Sequence, residues 1–181
     1  MNIRSFVALD LDQAAREKLE VLISSLKKDF NSFRFLDGRS VHLTLRFLGN
    51  ISPEEIEESR KILIRIAASF SPFSLEFDGF TAFPSLSEAK VLALTVKNRP
   101  ELTGLFEAVK KEFGILAIGL EEKRKFVPHL TLGRARNEAE DITNLEKKKI
   151  NGCFQVSALS LMKSLPASRY EIIQSFSLCQ K

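Results

Sequence analysis

The chain has no tryptophan, one tyrosine and only two cysteines among its 181 residues. Two cysteines, Cys153 and Cys179, cannot staple a small secreted fold. Neither stands in a CxxC pair or beside a histidine, which removes zinc-finger and dithiol redox chemistry. Both are expected to be reduced, buried structural residues, because free cysteine behaves as a small hydrophobe. No apolar run comes near the ~18 residues that a membrane span requires. Arg4, Asp10 and Asp12 interrupt the N-terminal stretch where a signal peptide needs an unbroken apolar segment. The expectation is a cytoplasmic protein without membrane contact. Charge of one sign is also scarce: 27 Lys+Arg against 23 Asp+Glu leave a net +4, a slight lean toward anionic partners. With 44% hydrophobic and 28% charged residues the chain is neither disordered nor fibrous, and it is long enough for one core or two small lobes.

What is present is periodic. Residues 3–9 read as a short strand, and Asp12 then introduces a helix with Ala15, Leu19, Leu22, Ile23 and Leu26 at steps of three and four. Residues 41–47 alternate strictly. This predicts a half-buried strand with Val41, Leu43, Leu45 and Phe47 on one face and His42, Thr44 and Arg46 on the other. Ser52-Pro53-Glu54-Glu55 spells a helix start, with Ser52 as cap, Pro53 in the first helical position and Glu55 closing a capping box. Phe73, Leu75 and Phe77 alternate ahead of a turn-prone segment, 79–87. The second half offers a strand over 91–96 and a helix from Pro100 that buries Leu102, Leu105, Phe106, Val109 and Phe113. An alternating strand over 126–133, a short polar helix over 138–148 carrying Ile142 and Leu145 inward, and strands over 154–161 and 170–178 complete it.

The halves follow one order. Their first strands begin near residues 3 and 90 and their histidines stand at 42 and 129, so the offset is about 87 in both cases, as duplication of a βαβα unit requires. The expected fold is α+β: a single bilobal domain over 1–181, pseudo-repeated over about 1–86 and 87–181. Antiparallel-rich sheets would face a central cleft, with helices on the outer faces.

Both alternating strands contain the same tetrapeptide, His42-Leu43-Thr44-Leu45 and His129-Leu130-Thr131-Leu132, and these two histidines are the only ones in the chain. Positions two apart on a strand share a face, so each tetrapeptide projects an imidazole and a hydroxyl together while its leucines point to the core. Two imidazoles and two hydroxyls around one small group suit metal-free phosphoryl transfer. One neutral imidazole takes a proton from the nucleophile, the other, protonated, gives one to the leaving oxygen, and the threonines hydrogen-bond the non-bridging oxygens. Histidine can hold either form near neutral pH. Zinc fits poorly, since a third ligand is missing and threonine is a weak one. No cofactor is expected.

The sequence resembles the 2H phosphoesterases, named for two HxTx motifs, and within them the RNA 2',3'-cyclic phosphodiesterases, also called 2'-5' RNA ligases. The resemblance rests on the opening RSFVAL (4–9), on HLTLRFLG (42–49), on PHLTLGR (128–134) and on LMKSLPASRY (161–170). It implies a bilobal α+β fold whose two motifs line a cleft, and an activity that opens a terminal 2',3'-cyclic phosphate to a 2'-phosphate. Some members also join RNA ends through a 2'-5' linkage without ATP. The partners implied are RNA with cyclic phosphate ends or small cyclic nucleotides, and the chain is expected to act as a monomer. By the same resemblance His42 is the proton donor to the departing 3' oxygen, His129 the acceptor that activates water, and Thr44 and Thr131 hold the phosphate.

Further site residues follow with their alternatives open. Phe35 takes the place where this branch often carries tryptophan, which makes it, with Tyr170, a candidate stacking group. Arg46 shares a face with His42 by alternation, and either reaches the phosphate or the next nucleotide or is a solvated strand-end charge. Arg134 has the parity of the buried Leu130 and Leu132, so it reaches the phosphate only if a bulge at Gly133 re-aims it. Parity also assigns Phe47 to the core. The runs Lys123-Arg124-Lys125 and Lys147-Lys148-Lys149 either extend an RNA surface or are solvated. A cyclic phosphate on an ADP-ribose derivative, and a non-catalytic RNA-end-binding module, are the rival functions.

Overall fold

The first strand of each half falls where the sequence places it, while the motif strand of the first half runs on past Phe47 to Ile51. In the computed structural model, which describes residues 1–119, 125–166 and 169–179, these segments form β1 (Ile3–Leu9), β3 (Leu43–Ile51) and β5 (Val91–Val96). The other described strands are β2 (Phe33–Phe35), β4 (Phe73–Phe83), β6 (His129–Ala135), β7 (Cys153–Val156), β8 (Ala158–Leu165) and β9 (Arg169–Ser177), and the helices are α1 (Gln13–Asp29), α2 (Pro53–Ala67) and α3 (Pro100–Ile115). The helices begin where the sequence places their signals. Asp12 accepts a hydrogen bond from the Ala15 amide, Ser52 and Glu55 close a reciprocal capping box, and Pro100 opens α3.

The fold is α+β. One antiparallel sheet runs β7-β4-β5-β6-β3-β1-β8-β9, with β2 beside β6. Each half of the sheet draws on both halves of the sequence, since β4 pairs with β5 while β8 and β9 extend from β1. The middle is a narrow seam. β3 and β6 share a single ladder position, Leu43 opposite Leu130, the second residue of each tetrapeptide. Beyond it β2 takes the place of β3 along β6, with Phe35 opposite Gly133 and Phe33 opposite Ala135.

Helices cover one face only. Leu19 and Ile23 of α1, Ile62 and Leu63 of α2, and Val109 and Phe113 of α3 join Val7, Leu9, Leu43 and Leu130 in one continuous core. On the opposite face Phe6, Ala8 and Met162, with Tyr170 packed against them, form a small separate cluster, and the rest of that face remains available as a binding surface. Among the described residues no helix is long and apolar enough to cross a membrane.

Matching irregularities interrupt the two motif strands. Ala8 pairs with Thr44 but Val7 with Arg46, which leaves Leu45 without a partner on β1. Ala93 pairs with Thr131 but Leu92 with Gly133, which leaves Leu132 without a partner on β5. Leu45 and Leu132 are the fourth residues of the two tetrapeptides, so both strands bulge at the same place. Each bulge adds one residue and reverses the facing of the residues that follow it, on β3 until a second register shift leaves Leu48 without a partner on β1.

Several local expectations change. Segment 79–83, expected as a turn, continues β4, because Phe80 and Ala82 alternate into the core once a bulge has shifted the register between Phe77 and Gly79. Segment 138–148 holds one 3-10 turn, Thr143–Leu145, in place of a helix. Its two large apolar residues, Ile142 and Leu145, are both fully buried by that single turn, and the Asp141 carboxylate bonds the Thr143 amide and hydroxyl ahead of it. The strand expected over 154–161 is two, β7 and β8, on opposite sides of the sheet. Cys153 and Cys179 are exposed, not buried, with free thiols.

Candidate active site

His42 stands immediately before β3 and His129 is the first residue of β6. Each imidazole is fixed in the same way. Nδ1 of His42 lies 2.8 Å from the Ser40 carbonyl and Nδ1 of His129 lies 2.8 Å from the Val127 carbonyl, two residues upstream in both cases. A carbonyl can only accept, so Nδ1 carries the hydrogen and Nε2 is the atom left for chemistry. Extending the Leu43–Leu130 register sets His42 beside Thr131 and Thr44 beside His129. All four side chains line one cleft of about 340 Å³, at the lower end of the range for small-ligand sites. Among the described residues neither threonine hydroxyl has a protein hydrogen-bond partner.

Aromatic rings brace the imidazoles. Phe6 lies 4.9 Å from the His42 ring and Tyr170 meets that ring edge-on at 4.8 Å, while Phe83 lies 4.8 Å from the His129 ring. The same rings remove water from the imidazoles, and burial is the largest influence on both. It holds His42 below the ordinary 6.5, against the upward pull of the Ser40 carbonyl and the Asp10 carboxylate; His129 and Arg16 add to the lowering. His129 is also lowered by burial, opposed by the Val127 carbonyl and assisted by the Arg134 cation. The neighbouring charges therefore differ: at His42 the Asp10 carboxylate favours imidazolium against the smaller opposing pull of Arg16, and at His129 the Arg134 guanidinium opposes it.

Asp10 is itself fixed. Its carboxylate accepts from Arg16 at 3.2 Å and from the Ser160 hydroxyl at 2.9 Å. Arg16 also donates to the Arg39 carbonyl at 2.6 Å, in the 3-10 turn Gly38–Ser40 that supplies the carbonyl holding His42. Among the described residues no three His, Cys, Asp or Glu side chains come together as metal ligands would.

The remaining candidates separate. Arg134 lines the cleft: past the unpaired Leu132 it stands opposite Val91, another cleft residue. Arg46 is turned the other way by the bulge at Leu45. Although it borders the cleft it is only 8% exposed, its guanidinium carbon lies 6.0 Å from the Phe113 ring centre, and Nη2 lies 3.5 Å from the Ile118 carbonyl. Shared facing with His42, expected from alternation, does not hold for it. Phe47 makes the reverse exchange, being 51% exposed in the cleft where parity assigned it to the core. Phe35 is not brought into the cleft. It packs on the main core over Gly133, so closely that a Cβ on that glycine would lie 3.1 Å from the ring. Of the basic runs, Lys125 lines the cleft and Lys147 to Lys149 do not, while Lys123 and Arg124 lie outside the described residues.

Sequence reasoning missed Asp10, Phe6 and Phe83 as site residues. Phe6 carried one signal, its place in the opening RSFVAL segment. Asp10 and Phe83 carried none, since their contacts to the motifs are entirely tertiary.

A family model for the 2'-5' RNA ligase superfamily matches residues 12–166. The chain is 28% identical over 170 residues to a Methanothermobacter thermautotrophicus protein named RNA 2',3'-cyclic phosphodiesterase, covering 91% of each chain. It is 31% identical over 134 residues to a Thermotoga maritima protein of the same name, covering 74% of this chain and 71% of that one. Among solved structures it superposes on a Thermus thermophilus protein with a TM-score of 0.82 at 24% identity, covering 97% of each. LigT of E. coli complexed with 3'-AMP matches with a TM-score of 0.77 at 25% identity, over 99% of this chain and 100% of that one.

Proposed function

The chain belongs to the 2'-5' RNA ligase superfamily, and from that premise we propose that it opens RNA 2',3'-cyclic phosphate ends to 2'-phosphates by two-histidine acid–base catalysis. The observation that carries the proposal is the pair of imidazoles, each with Nδ1 tied to a carbonyl and both lining one cleft with two threonine hydroxyls that have no partner among the described residues. Nε2 of His129 takes a proton from water as its oxygen attacks phosphorus. The bond from phosphorus to O3' breaks, and Nε2 of the His42 imidazolium delivers a proton to O3'. Thr44, Thr131 and Arg134 hold the non-bridging oxygens as charge builds on them. The 2' ester survives, so the product is a 2'-phosphate. Replacing water by an RNA 5'-hydroxyl in the same step yields a 2'-5' linkage, which accounts for ligation without ATP or a further catalytic group.

The charges around the imidazoles support this division of roles, with Asp10 favouring the acid and Arg134 the base. Asp10→Asn removes a charge that raises His42, so the alkaline limb of the kcat/KM profile, where the acid loses its proton, is expected to move to lower pH. The acid limb should move less. An unchanged alkaline limb would detach Asp10 from the acid.

The decisive test is turnover of an oligonucleotide ending in a 2',3'-cyclic phosphate, with the product identified by phosphorus NMR. A 2'-phosphate is expected. A 3'-phosphate would mean that donor and acceptor are reversed, and turnover of only an ADP-ribose cyclic phosphate would remove RNA as the substrate.

A further inference from the structure

The catalytic cleft has a side branch. A second hollow, of about 270 Å³, opens beside it. Phe106, Lys125 and Phe126 line both spaces, while Asn98, Thr103, Glu107 and Lys110 line the hollow alone. The partition is aromatic: the Phe106 and Phe126 rings stack with centres 3.9 Å apart and planes inclined by 7°. Phe106 is almost fully buried and covers one face of Phe126, which stays partly exposed. Thr103, Glu107 and Lys110 project from one side of α3 by their spacing of four and three. The Thr103 hydroxyl donates to Asn98 Oδ1 at 3.0 Å, which leaves the Asn98 amide hydrogens as donors toward the hollow. Two lysines face one glutamate there, and among the described residues neither Lys110 nor Lys125 is paired with a carboxylate. The hollow thus offers two cations, an amide donor and a flat apolar surface, and it joins the space where the cyclic phosphate would react.

An RNA chain ending in a 2',3'-cyclic phosphate continues only through the 5' oxygen of its last nucleotide, so it must leave the cleft along some wall. We propose that it leaves through this hollow, which binds the nucleotide immediately 5' to the cyclic end. The phosphodiester linking the last two nucleotides lies between Lys110 and Lys125, and the penultimate base rests on Phe126. This subsite rests on the proposed function, since it presumes that the cyclic end occupies the cleft. It makes the enzyme selective for RNA ends over free cyclic nucleotides, because a mononucleotide reaches none of Asn98, Thr103 and Lys110.

The test compares a cyclic-ended trinucleotide with a nucleoside 2',3'-cyclic phosphate across Lys110→Ala, Lys110→Glu and Lys110→Arg. Lys110→Ala is expected to lower kcat/KM for the trinucleotide roughly three- to tenfold, chiefly through KM, and to flatten its dependence on log salt by about 0.7, the share of one phosphate contact on a single strand. Lys110→Glu should lower it further and Lys110→Arg should restore it, with the mononucleotide unchanged throughout. Equal trinucleotide turnover in the wild type and Lys110→Glu overturns the subsite, as does an equal loss on both substrates. If the wild type opens neither substrate, the proposed function fails. Anisotropy with a 2'-phosphate-ended trinucleotide then decides the subsite separately, Lys110→Glu weakening binding if it exists and leaving it unaltered if it does not.

Discussion

Alanine in place of either motif histidine is expected to reduce turnover of a cyclic-phosphate-ended RNA by at least ~10²-fold, the usual worth of a positioned proton donor or acceptor. The loss should be catalytic and not structural, because both rings stand on the cleft face, outside the main core; melting curves of the variants check this. The wild-type rate should survive excess chelator and follow a bell-shaped pH profile, since the pair works only when it holds one proton. Both imidazoles lie below the ordinary 6.5 in the free protein, so the maximum of kcat/KM should lie on the acid side of that value. A bound phosphate anion stabilises imidazolium, which predicts that the kcat profile is displaced to higher pH than that of kcat/KM. Full activity in folded His42→Ala or His129→Ala, or a flat profile, would remove the mechanism.

The second large effect belongs to Arg134. With the bulge turning it into the cleft, its guanidinium can bond phosphate oxygens more strongly as negative charge accumulates in the transition state. Arg134→Ala is therefore expected to lower kcat by roughly 10²-fold, the typical cost of losing one such donor. Arg134→Lys should fall between the two, keeping the charge but losing the planar fork. Because the residue is exposed, the melting temperature should hardly move. The pH profile supplies an independent mark. Arg134 holds His129 down, so its removal raises that group and the acid limb should shift to higher pH. A variant that unfolds, or that turns over normally, would return Arg134 to the scaffold.

Much of this protein is written locally. The HLTL repeat, its constant offset, the capping box at Ser52 and the apolar stripe of α3 are short-range patterns, and short-range sterics and hydrogen bonds suffice to fix strands, helix starts and the facing of His42 and Thr44. Asp12, Pro100 and the five buried residues of α3 needed no partner to be recognised.

The period-two rule fails just after each motif, where Leu45 and Leu132 are left unpaired. It fails there because a bulge is a property of two strands together: a residue is surplus only relative to a neighbour whose register is set elsewhere. That is why the sequence could state the condition for Arg134 but not resolve it, and why Arg46 and Phe47 exchanged faces. The same reason governs Phe35, whose place on the core depends on β2 docking against β6 over Gly133, where the missing side chain lets the ring approach closely. By itself the sequence determined the α+β class, the two motif strands and the kind of chemistry their side chains can perform. Only the tertiary structure decided which arginine enters the cleft, which rings brace the imidazoles and that Asp10 stands near His42, because each of these depends on contacts between segments far apart in the chain.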